Sequence, residues 1–146
     1  MRRKDSLADF GFKALNVFHR TVTTLSGGRL GRQAFGMAVV DLHAVGRRSG
    51  LTHATLLTAP LVENGSLVLV ASKGGDDRAP DWYLNVVAHP DVEITVDGER
   101  RPFRARTATP EEKAELWPRV TARYRGYARY QTRSRREIPL VICDPR

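Results

Sequence analysis

The chain has 146 residues and a formal net charge of +8 at pH 7, with 24 Lys and Arg against 16 Asp and Glu. This length corresponds to one domain that can bury a hydrophobic core, so we expect a single functional site. The basic balance favours an anionic partner, such as a phosphorylated small molecule, nucleic acid or an acidic membrane surface. Cys143 is the only cysteine, which excludes an internal disulfide and fits a reducing, cytoplasmic setting. Charged residues interrupt the apolar runs, so neither a signal peptide nor a membrane span is expected.

Residues 1–36 are predicted to form an N-terminal amphipathic helix followed by a glycine-rich linker. In SLADFGFKALNVFHR (residues 6–20), apolar side chains recur at helical spacing from Leu7 to Phe18. The apolar face is expected to pack on the domain's own core, and peripheral contact with an anionic membrane, at the inner face of the plasma membrane, is the alternative. The segment SGGRLGRQAFG (residues 26–36) indicates a linker that folds over the site.

From Met37 onward the pattern is typical of short strands joined by turns. MAVVDLHAV and THATLLTAPLVE have strand character, and Asn64-Gly65 between two apolar runs indicates a tight hairpin. DVEITV, DGE and RRPFRARTA predict a second hairpin, and EIPLVIC predicts a closing strand. These features favour antiparallel pairing over residues 37–146.

Two helices are predicted between the strands. The first begins at Pro80 and ends before Pro90. The second opens with a capping box at Thr109, runs towards Tyr124 and is expected to kink at Pro118. The predicted fold class is therefore mainly β with α (α+β): a small barrel of antiparallel strands flanked by helices, with a ligand mouth at its rim.

Two loops have the composition of anion-binding or ring-binding sites. In GRRSG, two arginines and a serine between glycines can offer guanidinium and backbone N–H groups to phosphate or carboxylate, although a solvated hairpin loop has the same composition. ASKGG combines a hydroxyl, an ammonium and glycines that permit close approach of a ligand. Neither loop matches the G-x-x-x-x-G-K-[ST] or G-x-G-x-x-G phosphate patterns. The residues concerned are Arg47, Arg48, Ser49, Ser72, Lys73 and Gly74.

Aromatic residues form the third candidate group. On the predicted helix Trp82 shares a face with Asn85, and we expect Trp82 to lie nearer the site than Tyr83. In RYRGYARYQ the tyrosines recur every three residues and would form one stripe on a helix. They can be core residues or line a pocket mouth, where a phenol can stack on a ring and donate a proton. The flanking arginines leave nucleic acid as a further alternative. The four histidines are scattered, so no metal site is predicted.

Taken in order, five motifs resemble the deazaflavin-dependent nitroreductase family, split β-barrel enzymes that use coenzyme F420. They are GRRSG, ASKGGDDRAPDWYLNVVAHPDVEI, LWPRV, YRGYARYQ and IPLVICDP. The resemblance implies an F420H2-dependent oxidoreductase that transfers a hydride from the reduced deazaflavin to an electron-poor small molecule, such as a quinone, a nitroaromatic or an activated unsaturated compound. The alternatives are an FMN-binding or haem-binding split-barrel protein and a basic nucleic-acid-binding module.

The resemblance also implies roles for individual residues. Tyr127 corresponds to the tyrosine beside the hydride-donating ring, with Tyr124 and Tyr130 around it and Ser72 orienting the substrate; these four form the predicted catalytic group. His53 stands where the family usually has an arginine, so a weaker hold on the acidic tail of the cofactor is expected. The predicted cofactor contacts are Arg47, Arg48, Ser49, His53, Leu56, Leu57, Val70, Ala71, Ser72, Lys73, Gly74, Asp81, Trp82, Tyr83, Leu84, Asn85 and Tyr127.

Overall fold

Antiparallel strands make up most of the part of the chain that the structure, a computed structural model, describes, which is residues 33–146. The amphipathic helix, the membrane contact and most of the linker expected in residues 1–36 lie outside the described residues. The strands are β1 (Gln33–Ala34), β2 (Met37–Val45), β3 (Thr52–Ala59), β4 (Leu61–Glu63), β5 (Ser66–Val70), β6 (Asp91–Val96), β7 (Glu99–Thr107) and β8 (Leu140–Pro145). The helices are α1 (Asp81–Ala88), α2 (Pro110–Arg123) and α3 (Gly126–Arg133), and a 3-10 turn (Lys73–Gly75) precedes α1.

The strands form one antiparallel sheet in the order β1-β2-β6-β7-β8-β5-β4, with β3 paired to β2. The sheet curls so that β3 also approaches β5, which gives a half-barrel with the helices around it. The predicted fold class, a mainly β barrel flanked by helices, is therefore confirmed. None of the three described helices combines the length and the apolar character needed to cross a membrane.

Both predicted hairpins are confirmed by their turn geometry. Asn64 and Gly65, between β4 and β5, have φ of 52° and 82°. Asp97 and Gly98, between β6 and β7, have φ of 51° and 80°. Two successive residues at positive φ match the right-handed twist of the flanking strands, which explains the Asn-Gly and Asp-Gly pairs.

The hydrophobic core consists of two clusters on opposite faces of β5 and β8. Because side chains alternate along a strand, both faces of these two strands are buried, which explains the uninterrupted apolar runs SLVLV and LVIC. The first cluster contains Leu67, Leu69, Val141 and Cys143, and the second contains Val68, Val70, Leu140 and Ile142. Cys143 is buried in the first cluster, and this burial raises the pKa of its thiol to about 12.

The predicted capping box of α2 is present. The Thr109 hydroxyl accepts a hydrogen bond from the Glu112 N–H at 3.2 Å, and the Glu112 carboxylate accepts one from the Thr109 N–H at 2.9 Å. The helix continues through Pro118 and ends at Arg123, where Tyr124 caps it. Helix α1 begins at Asp81, one residue later than predicted.

The described end of the predicted linker is part of the sheet. Gln33 and Ala34 pair with the start of β2 through a turn at Phe35 and Gly36, whose φ values are 54° and 75°. Residues 33–36, which were predicted to belong to the linker, are therefore a short strand and a turn. The sequence gives no signal for this turn because phenylalanine is rarely found at positive φ.

Candidate functional site

Arg47 joins the β2–β3 hairpin to helix α1. Its backbone N–H and its guanidinium both donate to Asn85 Oδ1, at 3.1 and 2.8 Å. The guanidinium also lies 3.4 Å from the Asp81 carboxylate. Three predicted cofactor contacts from two motifs are thus brought together. Arg47 and Asn85 use part of their hydrogen-bonding capacity on each other, so Asn85 has a structural role here as well.

The tip of the same hairpin is exposed and polar. The Ser49 hydroxyl accepts a hydrogen bond from the Leu51 N–H at 3.1 Å and lies 3.2 Å from His53 Nε2. A Cβ on Gly46 would come within 2.6 Å of the Ser49 oxygen, so glycine is needed beneath this pair. Arg48 is exposed beside them. The structure therefore places the residues predicted to hold the acidic tail on one exposed loop.

The loop after β5 has an unusual backbone conformation. Lys73, Gly74 and Gly75 have φ of 45°, 63° and 88°. A Cβ on Gly75 would lie 2.9 Å from the carbonyl oxygen of Tyr130, so at this glycine the loop packs directly on α3. A Cβ on Gly74 would meet nothing within 4 Å. One glycine therefore allows close packing, and the other leaves open space next to the backbone.

The charged residues that follow are structural. The Asp76 carboxylate is buried and accepts hydrogen bonds from the Arg78 N–H at 2.8 Å and its guanidinium at 3.1 Å. Burial raises the pKa of Asp76, but the bonds from Arg78 outweigh it, so the pKa lies below its usual value. The Asp77 carboxylate accepts from the Arg135 N–H at 2.7 Å. These contacts fasten the loop to the segment after α3.

Arg136 binds the loop from the same side. Its guanidinium donates to the carbonyl oxygens of Ala71 at 2.9 Å, Ser72 at 3.2 Å and Asp76 at 3.1 Å. The remaining nitrogen, Nη1, is buried and has no partner in the part of the chain that the structure describes. The sequence does not predict this contact, because nothing in the local pattern distinguishes Arg136 from the other arginines of its segment.

Tyr124, Tyr127 and Tyr130 form a cluster. Their ring centroids are 5.1, 6.3 and 6.2 Å apart, and the hydroxyls of Tyr124 and Tyr130 lie 3.4 Å from each other. Tyr124 ends α2 whereas the other two lie on α3, so the cluster spans a helix junction and is not the single helical stripe that the spacing suggested. Gly126 makes this possible, since a Cβ there would lie 2.3 Å from the Tyr124 ring.

Tyr127 is 5% exposed and belongs to the second core cluster, so the core alternative left open by the sequence applies to its ring. Its hydroxyl lies 2.8 Å from the Thr58 hydroxyl and 3.6 Å from Met37 Sδ. Burial raises the pKa of Tyr127 to about 12, and burial likewise raises that of Tyr130 to about 12. Both phenols are therefore protonated at neutral pH. The sequence does not predict the contacts of Tyr127 with Thr58 and Met37, because these two residues precede Tyr127 by 69 and 90 positions.

Two predicted contacts belong to the framework. Trp82 is 5% exposed in the first core cluster, whereas Tyr83 is half-buried with its hydroxyl 2.9 Å from that of Thr107. Trp82 is thus the core aromatic of the pair, and its expected nearness to the site stays a prediction. Ala71 is fully buried, and its N–H donates to the Pro139 carbonyl while its own carbonyl accepts from Arg136. Trp82 and Ala71 therefore support helix α1 and the loop after β5, which carry the exposed groups.

Three other predicted contacts lie on β3 and α1. They are Leu56 and Leu57, half-buried on β3, and Leu84, exposed on α1. Val70 is buried in the second core cluster directly before the loop.

Three of the arginines in and beside the tyrosine segment make contacts within the protein, whereas Arg125 and Arg129 are exposed. Arg119 pairs with Glu63, Arg123 donates to the Gly36 carbonyl, and Arg133 donates to the Gly74 carbonyl. Since the tyrosine rings contact one another, they are not displayed as a row of stacking platforms for single-stranded nucleic acid. The arrangement favours a small-molecule site over the nucleic-acid alternative.

Comparison with known proteins agrees with this geometry. The family model for F420H(2)-dependent quinone reductases matches residues 16–145. The F420H(2)-dependent quinone reductase Rv1261c of Mycobacterium tuberculosis is 35% identical, over 88% of each chain. A solved F420-H2 dependent reductase, FDR-A, is 36% identical over 73% of this chain and 93% of its own, with a TM-score of 0.66. Another solved structure, described as a domain-swapped dimer, is 34% identical over 88% of this chain and 96% of its own, with a TM-score of 0.69. The chain therefore belongs to the F420H(2)-dependent quinone reductase family, a family of oxidoreductases.

Proposed function

We propose that the protein transfers a hydride from reduced coenzyme F420 to a quinone, with the loop at Ser72, Lys73 and Gly74 holding the cofactor and the tyrosine cluster facing the acceptor. The observation that carries this proposal is the direct packing of the loop on the tyrosine helix at Gly75 and Tyr130. Family membership supports the cofactor and the acceptor class, and the geometry supports the roles of the residues.

The residues present fit an anionic, ring-bearing cofactor. The open space at Gly74 allows a flat ring to approach the backbone. Beside it, the side chain of Ser72 makes no capping hydrogen bond to the 3-10 turn and can bond a ligand. Arg136, which donates to the Ser72 carbonyl of the same loop, has a buried Nη1 with no partner among the described residues. Arg47 and Arg48 add positive charge for the phosphate and carboxylates of the tail.

When bound, reduced coenzyme F420 supplies the hydride. The chain itself orients the reactants and stabilises the charge that develops on the acceptor oxygen. When the Thr58 hydroxyl donates a hydrogen bond to the Tyr127 oxygen, the Tyr127 hydroxyl donates its own proton towards Met37 Sδ. The thioether sulfur is a weak acceptor. A quinone oxygen is a stronger acceptor, so it can take this hydrogen bond as it becomes negative.

Tyr127 then acts as a hydrogen-bond donor and keeps its proton. The oxygen of a quinone that has gained a hydride is phenolic, and an ordinary phenol has a pKa of about 10. Burial raises the pKa of Tyr127 to about 12, which favours the protonated phenol as the donor of this hydrogen bond. Solvent supplies the final proton that completes the hydroquinone.

The proposal is tested by mixing the purified full chain anaerobically with F420H2 and menadione. We expect one F420H2 to be oxidised for each menadione reduced, and no acceleration by the protein over the uncatalysed reaction when reduced FMN or NADPH replaces F420H2. If F420H2 is consumed no faster than without protein, with menadione and with nitroaromatic acceptors, the proposal is wrong. A yellow or red protein on purification would instead support the FMN or haem alternative.

Membrane contact through residues 6–20 remains a prediction from the sequence pattern, as does packing of that segment on the domain. Flotation of the full chain with anionic and with neutral liposomes, compared with a variant that lacks residues 1–30, distinguishes the two. Binding to anionic liposomes that requires residues 1–30 supports the membrane contact. Equal behaviour of the two proteins supports packing on the domain.

A further inference from the structure

The turn between β1 and β2 does not explain why residue 35 is a phenylalanine. Its φ is 54°, and its side chain is 63% exposed. Positive φ is unfavourable for a bulky residue, whereas asparagine or glycine would fit the same turn more easily. The exposed ring also leaves most of its apolar area in water. Neither backbone conformation nor core packing therefore accounts for phenylalanine here.

The ring of Phe35 adjoins the tyrosine cluster. Its centroid lies 5.3 Å from that of Tyr124, with 37° between the ring planes. The turn is held against the cluster at two points: Arg123 Nη2 donates to the Gly36 carbonyl at 2.8 Å, and Met37 Sδ lies 3.6 Å from the Tyr127 hydroxyl. The position of the ring relative to the tyrosines is therefore fixed by neighbouring contacts.

We propose that Phe35 is a specificity-determining residue that extends the tyrosine cluster into an aromatic wall for a quinone acceptor. This inference rests on the proposed function and deepens it. A phenylalanine ring has no polar group, so it contributes stacking and apolar contact only. Acceptors with a second fused ring have more surface to place against it. The site is therefore expected to prefer fused two-ring quinones to single-ring ones, and Phe35 supplies part of that preference.

The test compares Phe35→Ala, Phe35→Tyr and Phe35→Asn with the wild type. A control is Val62→Ala, which removes an exposed apolar side chain from β4, away from the tyrosines. Phe35→Ala and Phe35→Asn should raise the KM for menadione about three-fold to ten-fold, which corresponds to the loss of one aromatic pair. The KM for single-ring benzoquinone should change less. Phe35→Tyr should restore the wild-type values, and kcat and the affinity for F420 should not change in any variant.

Two further measurements do not require turnover. Quenching of intrinsic fluorescence by menadione gives its affinity directly, and Phe35→Ala should weaken it while Val62→Ala does not. The melting temperature of Phe35→Asn should equal that of the wild type or exceed it by about 2–4 °C, because asparagine tolerates positive φ. A purely structural role predicts a lower melting temperature.

The outcomes separate the two proposals. If menadione binds Phe35→Ala as tightly as wild type, the role of Phe35 is wrong, whether or not the protein oxidises F420H2. If F420H2 is not oxidised but menadione binding still depends on Phe35, the proposed function is wrong and the aromatic wall stands.

Discussion

The Tyr127 hydroxyl occupies an environment built from three distant parts of the chain. Thr58 comes from β3, Met37 from the start of β2, and Tyr127 itself from α3. Tyr127 was identified from the sequence through family resemblance, whereas its two partners were not. A side chain that pairs across the fold leaves no trace in local spacing, so only the three-dimensional structure reveals it.

Replacement of Tyr127 by phenylalanine removes the donor and keeps the ring. We expect kcat/KM for menadione to fall about 10²-fold or more, as when one preorganised donor is lost at a developing oxyanion. The affinity for F420 should be nearly unchanged, and the unfolding free energy should fall by about 1 kcal/mol because Thr58 loses a partner. Stopped-flow kinetics, coenzyme titration and urea denaturation measure the three quantities. Wild-type turnover with every acceptor tested would contradict the donor role.

Gly74 and Gly75 form a matched pair for alanine substitution. At Gly75 the new Cβ would meet the Tyr130 backbone at 2.9 Å, and φ is 88°, so we expect the unfolding free energy to fall by about 2–3 kcal/mol. At Gly74 the Cβ enters open space, and positive φ alone should cost about 1 kcal/mol. Gly74→Ala should nevertheless weaken F420 binding more than its small effect on stability suggests. Equal stability losses, or unchanged F420 affinity in Gly74→Ala, would contradict these roles.

At the scale of elements, the Glu112 carboxylate fixes the start of helix α2 through hydrogen bonds with Arg106 and Thr109. Glu112 accepts hydrogen bonds from the Arg106 guanidinium at 2.7 and 2.9 Å and from the Thr109 N–H at 2.9 Å. These bonds, those from Arg106 foremost, lower the pKa of Glu112 to about 2. The contact ties the helix to β7, which lies beside the closing strand β8.

The pH dependence of Glu112→Gln follows from this pKa. Because the pKa of Glu112 is lower in the folded chain than its ordinary value of 4.5, its charge stabilises the fold fully above pH 4.5. This contribution is lost as the pH falls towards 2. Glutamine can keep the capping bond but not the charge. The difference in unfolding free energy between wild type and Glu112→Gln should thus be constant from pH 7 to 5 and shrink below 4.5. A difference that persists at pH 3 without shrinking would contradict the assignment.

Elements that carry their own signal were predicted correctly, and elements that depend on packing were not. Asn64-Gly65 and the capping box at Thr109 specify their conformations locally, so both appear as expected. Strand β1 escaped prediction because its turn uses Phe35. The sequence did not predict that Trp82 meets the core, because a helical face indicates which residues share a side, but not which side is buried.

At the scale of the molecule, three of the motifs quoted from the sequence are joined by direct contacts. The hairpin at Arg47 contacts α1, and the loop at Gly75 packs on α3, which carries Tyr127. Their order along the chain could be predicted, but their contacts could not. The arginines illustrate this limit, since Arg136 binds backbone carbonyls inside the protein while Arg48 is exposed at the hairpin tip.

The net charge of +8 predicts how salt affects the binding of the cofactor and of the quinone. An anionic cofactor should bind several-fold more weakly as ionic strength rises from 0.01 M to about 0.5 M, because salt screens its attraction to exposed Arg48 and its neighbours. The KM for menadione, which is uncharged, should not follow the same trend. Titrations of F420 and steady-state kinetics over a salt series measure both. Salt-independent F420 binding would contradict electrostatic recognition of the tail.

The most direct test of the cofactor site is a fluorescence titration of the purified full chain with oxidised coenzyme F420, with FMN in a parallel titration. Saturable binding of F420 and none of FMN is expected, with affinity reduced by Gly74→Ala. Binding of FMN in place of F420 would contradict the account and require a different hydride donor. If neither bound, the hairpin at His53, where the sequence departs from the family, would be the first region to examine.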